Sequence, residues 1–141
     1  MSENPFIHIR STKFPIQPGE ADELVNEGTY GKALAEYLQG RLLELGYEAP
    51  FVCCEDWGWW VDIKGQPFTL GICVYGFPND DNSLDLCFQI SEKPERRWSW
   101  TRFQFIDRAP TVEKLSRDLE EIVDSDPEIQ LLGYPKEFPL G

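Results

Sequence analysis

The sequence predicts an α+β fold: a two-layer sandwich whose mainly antiparallel sheet of four to six strands carries two helices on one face. Three observations lead there. Apolar residues recur at helical spacing over 29–45 and again over 111–124. Between these stretches the apolar residues alternate with a period of two over 68–75 and 83–90. The strand patterns follow one another through short turns, which gives an antiparallel meander that can pack one face and leave the other wet.

The chain opens with a loose alternation over 6–14, in which Phe6, His8 and Arg10 oppose Ile7, Ile9 and Ser11, and this reads as a first strand. Pro15 and Pro18-Gly19 end it. The loop that follows is acidic through Glu20, Asp22, Glu23 and Glu27, with Leu24 and Val25 as its anchors. Tyr30, Ala33, Leu34, Tyr37, Leu38, Leu42 and Leu45 then fall at steps of three and four, forming one apolar stripe. Thr29 is a candidate N-cap and Gly46 suits the left-handed residue that closes a helix. Lys32, Glu36, Gln39, Arg41 and Glu44 form the solvated side.

After Pro50 the pattern becomes that of strands. Phe51 to Glu55 and Trp57 to Lys64 read as one long strand bulged at Gly58, or as two short ones. Lys64-Gly65-Gln66-Pro67 is a turn, and Phe77 to Asn82 a polar turn. In 68–75, Phe68, Leu70, Ile72 and Val74 share one face; in 83–90, Leu84, Leu86, Phe88 and Ile90 do. Trp98 to Phe105 fits either a further strand or an ordered loop. In the second helix Val112, Leu115, Leu119 and Ile122 make the stripe, Thr111 is the expected N-cap, and Asp118, Glu120, Glu121 and Asp124 line a solvated acidic face. Ile129, Leu131 and Leu132 suggest a short last strand. Leu34, Leu38, Leu42, Ile63, Leu70, Ile72, Leu86, Phe88, Leu115, Leu119 and Ile122 should be core.

Composition narrows the function classes. At 141 residues the chain is one domain's worth. Its 25 acidic and 13 basic residues leave a formal charge of −12, which disfavours nucleic acid, permits a basic protein partner, and equally serves plain solubility. No apolar run is long enough to cross a bilayer, so no membrane partner is expected. The first residues have no basic segment followed by an apolar one, so a cytoplasmic location is expected. The four cysteines lack a Cys-x-x-Cys spacing and His8 is the sole histidine; the reading is reduced thiols in a core, with neither metal nor cofactor.

Glu55-Asp56-Trp57-Gly58-Trp59-Trp60 concentrates three of the five tryptophans beside two carboxylates. With Trp59, Val61 and Ile63 facing the helices, Trp60 and Asp62 face away. Glu55, Asp56, Trp57, Trp60 and Asp62 are therefore candidate binding residues, since a surplus tryptophan can anchor a partner. The plainer alternative is that Trp57, Trp59 and Trp60 pack with the aromatics of 98–105. A hydrolytic role would need two of the carboxylates to converge, and adjacency on a strand sends Glu55 and Asp56 to opposite faces. The one basic locale runs over 92–108, with five basic residues against three acidic. There Arg96, Arg97, Trp98 and Trp100 can serve a partner, form internal cation–π contacts or pair with the acidic helix 111–124. The helix start at Tyr30-Gly31-Lys32 could favour an anion, but reads better as a solvated terminus.

The words Asn26-x-Gly28-x-Tyr30-Gly31-Lys32-Ala33-Leu34 and Glu55-Asp56-Trp57-Gly58-Trp59 resemble a family of small bacterial proteins of unestablished function. The resemblance implies a bacterial source and transfers no site residues. The sequence thus favours a non-catalytic binding protein, an inhibitor- or immunity-type partner of a basic protein. The alternatives are a small-ligand binder or hydrolase using Glu55, Asp56 and Asp62 with the tryptophans, and a homodimer or larger homo-oligomer joined through the open sheet face.

Overall fold

A computed structural model describes residues 6–24, 30–65, 70–79, 84–91 and 109–140. In chain order the elements are β1 (Ile7–Arg10), α1 (Glu20–Glu23), α2 (Lys32–Glu44), β2 (Val52–Glu55), β3 (Gly58–Ile63), β4 (Leu70–Pro78), β5 (Leu84–Ser91), α3 (Ala109–Ser125) and β6 (Gln130–Gly133). One six-stranded sheet has the order β2-β3-β4-β5-β1-β6, and every neighbouring pair is antiparallel. The meander β2 to β5 is as the alternation predicts. β1 then fills the place beside β5, and β6 closes the far edge against β1.

Register follows hydrophobicity. Val61↔Ile72, Ile63↔Leu70, Ile72↔Ile90, Val74↔Phe88 and Ile9↔Leu86 stand opposite one another, so their side chains share one face. Leu34, Ala35, Leu38 and Leu42 of α2 join them in a single core with Leu115, Leu119 and Ile122 of α3. Every residue predicted to be core is buried. No helix among the described residues is long and apolar enough to cross a membrane.

Several boundaries differ from expectation, each for a local reason. Of the two readings of 51–64 the two short strands are found, β2 and β3 forming a hairpin that turns at Asp56-Trp57 with Glu55 opposite Gly58 and no register shift. Gly58 is needed not for a bulge but for room, because a Cβ there would stand 2.5 Å from the Val74 carbonyl oxygen. Phe77 and Pro78 continue β4 rather than turn, pairing with Asp85 and Leu84; a proline is tolerated at a strand end, where no further ladder bond is required of it. α3 begins at Ala109, so Thr111 lies in its first turn and is not the cap. Pro110 explains this, since a missing N–H costs nothing where no acceptor precedes it. Leu45, placed on the helical stripe by spacing, is 46% exposed because α2 has already ended there. Tyr47 N–H donates to the Leu42 carbonyl at 3.0 Å and Gly46 N–H to that of Leu43 at 3.1 Å, closing the helix around Gly46 at φ 94°. Val25, Thr29, the 66–67 turn and the candidate strand 98–105 lie outside the described residues.

α2 is not capped by its own neighbourhood. Its N-cap is Gly31, which makes no side-chain cap bond. The carboxylate of Glu20, fully buried, accepts the N–H of Gly31 at 3.0 Å and of Lys32 at 3.1 Å on Oε2, and that of Gln17 at 2.9 Å on Oε1. The helix start that could have favoured an external anion is thus filled by an internal one. Glu20, read from the sequence as part of an acidic loop, is a buried capping residue.

Two Lys–Tyr–Asp sets tie α3 to α2. Asp118, assigned from the sequence to the solvated side, accepts the Tyr47 hydroxyl at 2.5 Å and the Lys114 ammonium at 2.9 Å. Just beyond α3, Asp126 accepts the Tyr37 hydroxyl at 2.7 Å, the Glu128 N–H at 2.9 Å and the Lys13 ammonium. In each set the lysine lies over its tyrosine ring, at 4.6 Å for Lys13 and 4.7 Å for Lys114. The hydrogen bonds from Lys13 and Tyr37, then that from Glu128, hold the Asp126 carboxyl down at about 2. A depressed carboxyl stabilises the fold above its ordinary value near 4 and loses that contribution as pH falls towards 2. Unfolding followed through this range is expected to show Asp126→Asn with a shallower acid decline than the parent protein; equal slopes would mean that Asp126 does not drive it.

Candidate functional site

The alternation along β3 splits its tryptophans. Trp59 points to the helices and belongs to the main core, where a Lys32 ammonium lies 5.8 Å from its ring centroid. Trp60 points the other way, opposite Cys53 and Cys73. The sequence left two readings of this far face, with Trp60 standing open on it or packed beneath other aromatics. It is filled: Trp60 and Cys87 are 0% exposed, and Cys73 and Asp62 are 5% exposed. A strand's period assigns a face but does not say what lies over it.

What covers this face includes an aromatic layer. Trp57 stacks edge-on against Trp60 at 6.2 Å and tilts against Tyr75 at 5.9 Å. Tyr75 meets Phe138 of the C-terminal segment at 5.0 Å, and Phe6 and Phe77 complete the set around Phe138 at 5.6 and 5.7 Å. The Phe6 N–H donates to the Pro135 carbonyl at 3.0 Å, which fastens the segment over the sheet. The predicted meeting of these tryptophans with Trp98 and Trp100 lies outside the described residues, as do Arg96 and Arg97.

The predicted carboxylates are placed apart. Asp56 is exposed in the hairpin turn. Glu55 is half-buried on the far face and accepts a bond from the Cys53 thiol at 3.3 Å. Asp62 shares that face, yet Gly58, opposite Glu55, and Asp62 are four positions apart on β3, about 13 Å at the usual rise. Asp62 accepts the indole N–H of Trp60 on Oδ1 at 3.0 Å. The Lys64 ammonium sits 3.3 Å from Oδ2 without hydrogen-bonding alignment, so charge alone holds that oxygen. Among the described residues no three His, Cys, Asp or Glu side chains gather as a metal site would need.

The nearby thiols and phenol are poor nucleophiles. Burial pushes the Cys73 thiol up to about 11 and the Cys87 thiol up to about 12, and burial likewise raises the Tyr75 hydroxyl. None of the four cysteines forms a disulfide. An open cleft of about 420 Å³ lies where the end of α2 meets the start of α3, with Lys64 and Lys114 on its walls. Both ammonium groups are already engaged, by Asp62 and by Asp118.

The remaining charged surface is on α3. Leu115, Leu119, Ile122 and Val123 are buried, which turns Glu113, Glu121 and Asp124 outward with Glu120 half-buried beside them. None of the four makes an ion pair among the described residues, unlike Glu23, Glu44, Asp62, Asp118, Asp126 and Glu128. Tyr134, just past β6, is 42% exposed. Its hydroxyl is pushed up by burial and then by the charges of Glu120 and Asp124, and β6, which ends just before it, packs against α3. The sequence showed the row as a solvated helix face; that Tyr134 borders it depends on how β6 returns along β1, which no local pattern signals. No protein family's profile matches the chain, nor does any curated protein or solved structure.

Proposed function

We propose that the chain is a non-catalytic interaction module for a basic protein and works in the cytoplasm, where its cysteines stay reduced. The observation that carries this reading is the outward row Glu113, Glu120, Glu121 and Asp124 on α3, in which none of the four carboxylates makes an ion pair among the described residues although the exposed Arg117 stands among them. A formal charge of −12 extends the same field over the molecule and favours fast encounter with a positive partner. The separation of Glu55, Asp56 and Asp62 removes the convergence that a hydrolase built on them would require. The buried thiols and the filled far face of the sheet offer neither a nucleophile nor an open joint for a second copy. Titration against a set of small basic proteins at low and at high salt tests the reading. Binding that weakens as salt rises is expected, and the absence of any salt-sensitive binding rejects it.

A further inference from the structure

We infer that the aromatic layer on the far face of the sheet is a peptide-binding surface. The chain's own segment 134–140 occupies it in cis, and in trans it takes an extended segment of another protein with the pattern Pro-x-x-Phe-x-Leu. This surface is separate from the acidic face of α3 and independent of the basic-partner reading. Phe6, Trp57, Tyr75, Phe77 and Phe138 form one connected set of rings. None of the five is fully buried, and Phe138 at the centre is 41% exposed. Single apolar residues on a surface need no explanation, whereas a contiguous patch of rings marks a place of recognition.

The segment seated there shows what fits. Residues 134–140 form neither helix nor strand, and among the described residues a single backbone hydrogen bond ties them to the sheet, from the Phe6 N–H to the Pro135 carbonyl at 3.0 Å. Three positions on, the Phe138 ring stands edge-on among Phe6, Tyr75 and Phe77, at 5.6, 5.0 and 5.7 Å. Leu140 is the one buried side chain of the segment. A ring-lined seat and an extended, proline-containing occupant are the two halves of a recurring mode of peptide recognition. Proline also lowers the freedom that such a segment loses on docking. One backbone bond, one half-exposed ring and one leucine hold the segment more weakly than the ladders hold the strands beneath, so it opens first. In cis it meets its seat at an effective concentration in the millimolar range, and a partner segment competes against that.

The test uses a fluorescently labelled synthetic peptide of residues 134–140 as probe, titrated with the full chain. Phe138→Ala loosens the cis segment, and this variant is expected to bind the probe at least about tenfold more tightly than the parent protein does. Phe138→Leu should gain about threefold, and it keeps the test valid if alanine harms folding. A probe whose own phenylalanine is replaced by alanine should bind each protein at least about tenfold more weakly. A probe that keeps only the proline, phenylalanine and leucine of the pattern, with alanine elsewhere, should stay within about threefold of the full peptide. Variants that bind no better than the parent protein, or a probe indifferent to its phenylalanine, overturn the proposal, since the segment is then a fixed part of the fold. A larger loss in the reduced probe overturns the pattern assigned to the partner. Sedimentation of the parent protein should show one species at all concentrations; a dimer that grows with concentration and disappears in Phe138→Ala would show the seat taking the segment of a second copy, and overturns the assignment to another protein.

Discussion

Glu20→Ala is expected to destabilise the protein by roughly 2–4 kcal/mol, because it removes a charged acceptor from three backbone donors at once. The Glu20 carboxylate is fully buried and takes the N–H groups of Gln17, Gly31 and Lys32. Gly31 has no side chain with which to replace it, so the loss exposes the start of α2 to unpaired donors. The missing volume adds a void that water must enter or the loop must fill. Glu20→Gln keeps the shape and one carbonyl oxygen, yet turns an amide N–H₂ towards backbone donors. Its cost should be about half that of alanine. Denaturant unfolding measures both: the midpoint should fall in the order parent, Gln, Ala with an unchanged slope. A midpoint for Glu20→Ala no lower than that of Asp22→Ala, an exposed neighbour, would show that the carboxylate does not cap the helix.

How far the sequence can be read depends on the range of the contact. The stripes of α2 and α3 and the alternation of β4 and β5 are local periodicities, and the side chains they assign to the core are the ones the fold buries. The facing of Trp59 and Trp60 is also local and came out as the period demands. What covers Trp60 is not. Its neighbours Trp57 and Tyr75 come from a hairpin turn and the next strand, and that layer is extended by Phe138 from the far end of the chain. Glu20 shows the same limit from another side. Its two contacts at α2 cross eleven and twelve residues, with a loop between whose path no spacing rule fixes. Asp118 read as a solvated carboxylate because its tyrosine donor, Tyr47, belongs to the turn that follows the other helix. The site suffered most, since an exposed tryptophan and a covered one have the same pattern along a strand, while Tyr134 beside α3 becomes visible only once β6 is paired.

Gly71→Ala should be the most damaging single methyl that can be added to the sheet. On β4 this glycine stands opposite Asp62, and the Trp60 ring lies across it. An added Cβ would come within 2.3 Å of Trp60 Cζ2 and 2.4 Å of the Val61 carbonyl oxygen. The ring can move only by giving up its N–H bond to Asp62 and its edge contact with Trp57, and the carbonyl belongs to the paired backbone. The expected cost is roughly 2–4 kcal/mol, at the upper end for overpacking. Gly40→Ala is the matched control, since nothing lies within 4 Å of a Cβ at that exposed position on α2. There the methyl should stabilise by about 0.5–1 kcal/mol, by restricting the unfolded chain. The two substitutions are chemically identical, so the sign of the difference isolates the packing. Adding Trp60→Val to Gly71→Ala should recover about 1 kcal/mol relative to the sum of the single changes, because the ring is part of the obstacle. The remainder of the cost stays with the Val61 carbonyl. Strict additivity of the pair would mean that the ring is not what Gly71 makes room for, and that the covered far face is held by the backbone alone.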